Sequence, residues 1–157
     1  MREFILSVNR TGRVSGVWFV VKSSIMATIK KFEDIEAWQL ARKLATKIFE
    51  LTQKGHFAKD FGFRGQIKNA CGSVMDNIAE GFGRGGNREF VNFLGYAIGS
   101  ANEVQSQLHR ALDWKYINDD EFKESYEIAD LAIAKSGALI NYLNHSEYKG
   151  EKFKREN

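Results

Sequence analysis

No proline occurs anywhere in the 157 residues. Proline is the residue that most strongly stops or kinks a helix, so a chain without it can run long uninterrupted helices. The apolar residues use that freedom. Between residues 34 and 54, Ile35, Trp38, Ala41, Ala45 and Ile48 recur every three or four positions, the period of one helix face. Gly55 stops this first helix, and residues 55–62 read as a loop. Phe63, Ile67, Ala70, Val74 and Ile78 then restore the stripe in a second helix, which Gly81 is expected to end as a left-handed C-terminal residue. Gly83, Gly85 and Gly86 make the next turn. Asn87 is placed to cap a third helix with the core face Phe90, Leu94, Ala97, Ala101, Val104, Leu108 and Leu112. Asn118 with Glu121 three residues later starts a fourth, a capping box with Asn in place of the usual Ser or Thr. Its stripe is Tyr126, Ala129, Ile133, Ile140 and Leu143.

Short connections between long helices make sequence neighbours antiparallel, so residues 26–144 are expected to form an all-α, up-down-up-down four-helix bundle. A chain of this length is the size of one domain with a self-sufficient core. Residues 145–157 read as a charged flexible tail. Residues 1–25 stand apart: the β-type runs 4–8 and 17–21 spell a hairpin, yet Met26-Ala27-Thr28 looks like a natural start. Translated upstream sequence, a disordered or swapped arm and a real hairpin are the three readings. Neither run is long enough for a signal peptide or a membrane span, which leaves a cytoplasmic protein as the expectation.

Two further features refine the bundle. Gly72, Gly95, Gly99 and Gly137 lie inside helices, where each costs about 1 kcal/mol relative to Ala, so close backbone approach or a bulky neighbour such as Trp38 is expected against them. On the fourth helix, Ile128, Leu131, Leu139 and Tyr142 fall outside the main stripe and form a second apolar arc, the mark of a partner face and so of a homo-oligomer.

Reactive chemistry is not indicated. Cys71 is the only cysteine, with no second thiol for a disulfide, a redox pair or a CxxC metal site, and its neighbours Ala70, Val74 and Met75 suit a small buried side chain. His56, His109 and His145 lack metal-ligand spacing, and Asp76 with Glu80 lacks the Glu-x-x-His repeats of a diiron centre. Residues 81–86 match GxGxxG, but a helix precedes them where a dinucleotide fold needs a strand. Free N–H groups near Asn87, beside Arg84 and Arg88, suit an anion instead. No catalytic residue, metal site or cofactor is therefore expected, and the chain reads as a non-enzymatic binding protein. The net charge of +3 sits in residues 1–26, where Arg2, Arg10, Arg13 and Lys22 oppose Glu3. Taking these from totals of 23 basic and 20 acidic residues leaves 19 of each in 27–157, so any nucleic-acid site must be a local patch.

Phe32-Glu33-Asp34-Ile35 with Trp38-Gln39-Leu40-Ala41, then Asn77-Ile78-Ala79-Glu80-Gly81 with Arg84, and finally Gly99-Ser100 with Glu103 and Leu108, resemble the four-helix-bundle family of 23S rRNA intervening-sequence proteins over residues 32–144. The resemblance implies a bacterial, ring-shaped homopentamer. It also implies kinship in fold with accessory proteins of diversity-generating retroelements, which bind nucleic acid and a reverse transcriptase through a basic surface. Lys68-Asn69 stands where the family usually carries two adjacent basic residues, which weakens that surface here. Arg64, Lys68, Arg84 and Arg88 are the candidate contacts to RNA or DNA. Asn77, Glu80, Gly81, Arg84, Ser100 and Glu103 are expected to form a structural polar cluster with a partly buried Arg84–carboxylate pair. The alternative function is a scaffold for a protein partner, with Phe57, Phe61 and Phe82 as exposed anchors.

Overall fold

The computed structural model describes residues 29–147 and 149–150. The hairpin and upstream-sequence readings of residues 1–25, and the tail beyond Gly150, lie outside the described residues. The described residues from Lys31 onward belong to one compact unit, from which Ile29 and Lys30 stand apart.

Four long helices, α1 (Glu36–Leu51), α2 (Phe61–Gly83), α3 (Asn87–Asp113) and α4 (Asp119–His145), make up the described part with two 3₁₀ turns, Phe32–Asp34 and Phe57–Lys59. The protein is all-α across the described residues. Leu44, Ile48, Leu51, Phe57, Ile67, Ile78, Leu94, Val104 and Leu108 are fully buried between the helices. Contacts run in opposite order along neighbouring helices: Gln66 and Ser73 of α2 meet Arg110 and Ser100 of α3. Between α1 and α4, Lys47 pairs with Glu124 and Glu36 with Lys135 at 2.9 Å, and just past the end of α1 Lys54 pairs with Glu121 at 3.1 Å.

The helix boundaries follow local chemistry. α1 ends at Leu51, short of residue 54, and the Thr52 hydroxyl, itself buried, donates to the Phe49 carbonyl at 2.7 Å. Gly55 follows with φ +49°, the left-handed conformation that costs glycine least. The expected loop 55–62 contains the 3₁₀ turn Phe57–Lys59 and is cut short at Phe61, because the Asp60 carboxylate accepts from the Phe63 N–H at 2.9 Å and so caps α2. Phe57, expected as an exposed anchor, is instead buried, its ring 5.2 Å from both Phe63 and Tyr116. Gly81 does not end α2. The helix continues to Gly83, and the left-handed residue is Gly85 at φ +69°. Gly86, rather than Asn87, is the N-cap of α3. At the start of α4, Asn118 accepts from the Glu121 N–H at 2.9 Å and Glu121 accepts from the Asn118 N–H at 3.1 Å, the reciprocal capping box read from the sequence.

The α4 stripe is rotated from its expected position. Ser125, Ile128, Ala129, Ala132, Ser136 and Leu143 are buried, while Tyr126, Ile133 and Ile140 are only half-buried. Two serines can line the core because each satisfies its own hydroxyl: Ser125 donates to Glu121 O at 2.7 Å and Ser136 to Ala132 O at 2.8 Å. The ion pairs to α1 flank this buried side of α4. Ile128 is therefore a core residue at 5% exposure, not part of an outer arc. Leu131 is 49% exposed, and Leu139 and Tyr142 are half-buried.

The interior glycines also depart from expectation. A Cβ on Gly72, Gly95, Gly99 or Gly137 would meet no atom within 4 Å, so neither Trp38 nor another helix of the same chain presses against them. Gly81 is the glycine that packing requires: a Cβ there would lie 2.5 Å from Phe93 Cβ and 2.9 Å from Phe90 Cδ2.

Candidate nucleic-acid interface

Asp60 starts α2 so that Phe61, Arg64 and Lys68 fall within one arc of the helix surface, since positions three and four apart are neighbours. Phe61 is 73% exposed. Arg64 lies over it with its guanidinium carbon 4.8 Å from the ring centroid, and is held in place by a 2.9 Å bond from Nη1 to the Ala58 carbonyl. Lys68, half-buried, follows one turn later.

Arg84 and Arg88 lie at the far end of α2 and the first turn of α3. Lys68 and Arg84 are separated by about 24 Å along the axis, at roughly 1.5 Å per residue. The four candidate cations are thus two pairs at opposite ends of α2 and not one patch. Arg84 pairs with Glu80 and sits 5.4 Å over the Phe93 ring. The anion position expected at the start of α3 is partly taken, because the Asn87 N–H donates to the Lys149 carbonyl at 3.0 Å.

The expected polar cluster separates into three groups along the α2–α3 seam. Asn77 Nδ2 donates to the Ser73 carbonyl at 2.7 Å and to its hydroxyl at 3.1 Å, and Ser100 donates to Ser73 Oγ at 3.1 Å. Glu103 accepts from Gln107 at 2.9 Å. The Glu80–Arg84 pair is half-exposed, at 53% and 51% of the side chains, so the expectation of a partly buried pair is corrected. An exposed pair one turn apart contributes only about 0.3–0.5 kcal/mol. Gly81 joins none of these groups by hydrogen bonding; its role is the close approach to Phe90 and Phe93.

Arginine on aromatic rings is the surface feature that sequence reading missed. Of the five arginines among the described residues, four lie over a ring: Arg42 on Trp38, Arg64 on Phe61, Arg84 on Phe93, and Arg110 on both Phe63 (4.0 Å) and Trp114 (5.4 Å). Arg110 also donates to Gln66 Oε1 at 2.9 Å, while its Nε is buried without a partner. The spacings Trp38/Arg42, Phe61/Arg64 and Arg110/Trp114 are three or four residues and were visible in the sequence as helix neighbours. Phe82 is half-buried and packs edge-on against Phe90 at 6.1 Å.

Among the described residues no group of three or more His, Cys, Asp or Glu side chains could hold a metal ion. Cys71 is buried, and that burial pushes its thiol up to about 12, far from the thiolate that nucleophilic chemistry needs. No helix of the described part is long and apolar enough to cross a membrane.

Across the described residues the helices define an all-α protein of four packed helices. The 23S rRNA-intervening sequence protein family matches residues 33–136, and the chain belongs to that family. It is similar in fold to a crystal structure of a protein of unknown function from the S23 ribosomal protein family of Bacteroides thetaiotaomicron VPI-5482. That likeness has a TM-score of 0.60 at 20% identity and covers 66% of this chain and 97% of the other. No curated protein matches the chain.

Proposed function

We propose that the protein is a non-enzymatic binding protein of the cytoplasm, an up-down-up-down four-helix bundle that assembles as a ring-shaped homo-oligomer and associates with RNA or DNA. The family description, which names the 23S rRNA intervening sequence, supports a nucleic-acid setting. The observation that carries the reading is the Phe61–Arg64–Lys68 stripe, an exposed ring beneath a guanidinium with a second cation one turn on. Base–aromatic stacking beside cations that meet phosphate is how single strands are held without base readout. Arg84 and Arg88 supply a second phosphate contact at the other end of α2. No base-specific element accompanies them, so sequence preference is expected to be weak.

Fluorescence anisotropy of labelled single-stranded RNA and duplex DNA, at low and near-physiological salt, tests this. Each phosphate contact adds roughly 0.7 to 0.9 to the slope of log affinity on log salt. Arg64→Ala with Lys68→Ala should therefore lower the slope by about 1 to 2, and Arg84→Ala with Arg88→Ala likewise. Absence of binding at low salt would remove the nucleic-acid reading. A scaffold for a protein partner would then stand in its place, favoured by the exposed Phe49, Tyr96, Trp114 and Leu131.

A further inference from the structure

α4 ends at His145, and Ser146 takes extended dihedrals (φ −78°, ψ 132°) that lead the chain away from the helix axis. Lys149 and Gly150 then lie against the turn between α2 and α3. The Asn87 N–H, at the first position of α3, donates to the Lys149 carbonyl at 3.0 Å. An amide in the first turn of a helix has no intrahelical acceptor. The N-cap residue is Gly86, which has no side chain to help satisfy the opening amides. A main-chain carbonyl from beyond α4 fills part of that role.

The approach depends on three glycines. Gly85 takes φ +69°, and Gly150 takes φ +121°, a conformation that L side chains rarely adopt. Gly150 is buried at the turn. A Cβ added to it would lie 2.8 Å from Gly86 Cα and would press on the Gly85 carbonyl, with backbone on both sides and no flexible side chain to give way. Gly85 and Gly86 thus admit another stretch of backbone, whereas Gly81, earlier in the same run, answers to Phe90 and Phe93.

We propose that the segment carrying Lys149 and Gly150 is a releasable strap that completes the N-terminus of α3 and closes the α2–α3 turn. It ties the end of the fourth helix to the start of the third, so the Asn87 amide is covered while the strap is docked and open to solvent when it lifts. Lys149 and Gly150 lie outside every helix, and residues so placed open separately from a packed core, at lower cost than global unfolding. The strap stands or falls independently of nucleic-acid binding.

Amide hydrogen exchange followed by NMR on the full chain, on Gly150→Val and on a chain ending at His145 tests the strap. In Gly150→Val the Asn87 amide should exchange about five-fold faster or more, as expected for the loss of one hydrogen bond, while the Val104 amide within α3 keeps its rate. The shortened chain, where it folds, should show the same acceleration. Unchanged exchange at Asn87 in Gly150→Val overturns the proposal whatever the shortened chain does. Asn87 and Val104 exchanging at equal rates in the unaltered protein overturns its release.

Discussion

At the scale of single residues, glycines that look alike in the sequence do opposite things. Gly81 is pinned by Phe90 and Phe93, and the Cβ clash at 2.5 Å is with the stem of Phe93, which cannot swing away as a flexible tip could. Gly81→Ala is expected to cost about 1–3 kcal/mol through overpacking. Gly95 is exposed and a Cβ there meets nothing within 4 Å. Gly95→Ala should stabilise the isolated chain by about 0.5–1 kcal/mol, since alanine loses less backbone freedom in a helix. Urea denaturation of both variants, at a concentration where the chain is monomeric, checks the pair. Equal midpoints would mean that the α2–α3 contact at Gly81 is looser than the geometry states. Periodicity and composition cannot separate two such glycines, because the difference lies in what stands opposite.

At the scale of elements, caps explain where helices begin better than the hydrophobic stripe does. The α4 capping box was legible because both partners lie within four residues of each other. Asn118→Ala should lower stability by about 1 kcal/mol. Burial alone pushes the Glu121 carboxyl up, but the Asn118 N–H and the Lys54 ammonium outweigh it and hold the group below its ordinary 4.5. A carboxyl with a lowered folded pKa contributes stability that is complete above its unfolded value and is lost as pH falls through the folded one. The deficit of Glu121→Gln relative to the unaltered protein should therefore be full at neutral pH and shrink below about pH 4.5, read by urea unfolding across pH 3–7. A deficit that stays constant over that range would assign it to the neutral cap geometry rather than to the charge. The cap of α2 was missed for the opposite reason: Asp60 lies inside what reads as a loop, and the buried Phe57 that shapes this loop is chosen by Phe63 and Tyr116, the latter far away in sequence.

At the scale of the whole molecule, one chain leaves surface that its own helices do not use. Leu131 is half-exposed on α4, Tyr96 is exposed on α3, and four helical glycines face open space. Assembly through copies of the chain would cover such surface, and Leu131→Glu is expected to lower the mass measured by light scattering at micromolar concentration while leaving the helical circular dichroism unchanged. A monomeric mass for the unaltered protein would dismiss the assembly outright. Much of the architecture was nonetheless determined locally. The absence of proline, the 3.6-residue stripes of α2 and α3, the turn glycines and the Asn118–Glu121 box all act over a few neighbouring residues, and they specify four helices in the places where four are found. Only the tertiary structure decided which arc of α4 faces inward, whether Arg64 and Arg84 share a patch, and what Gly85 and Gly86 admit. Those depend on what meets in space: the core that Ile128 and Ala129 share with Leu44 and Ile48, the length of α2 that separates its two ends, and the Lys149 carbonyl brought against Asn87. A periodicity is a property of one helix, whereas a face, a patch and a docking contact belong to the space between elements, where side-chain size and charge on both partners set the outcome.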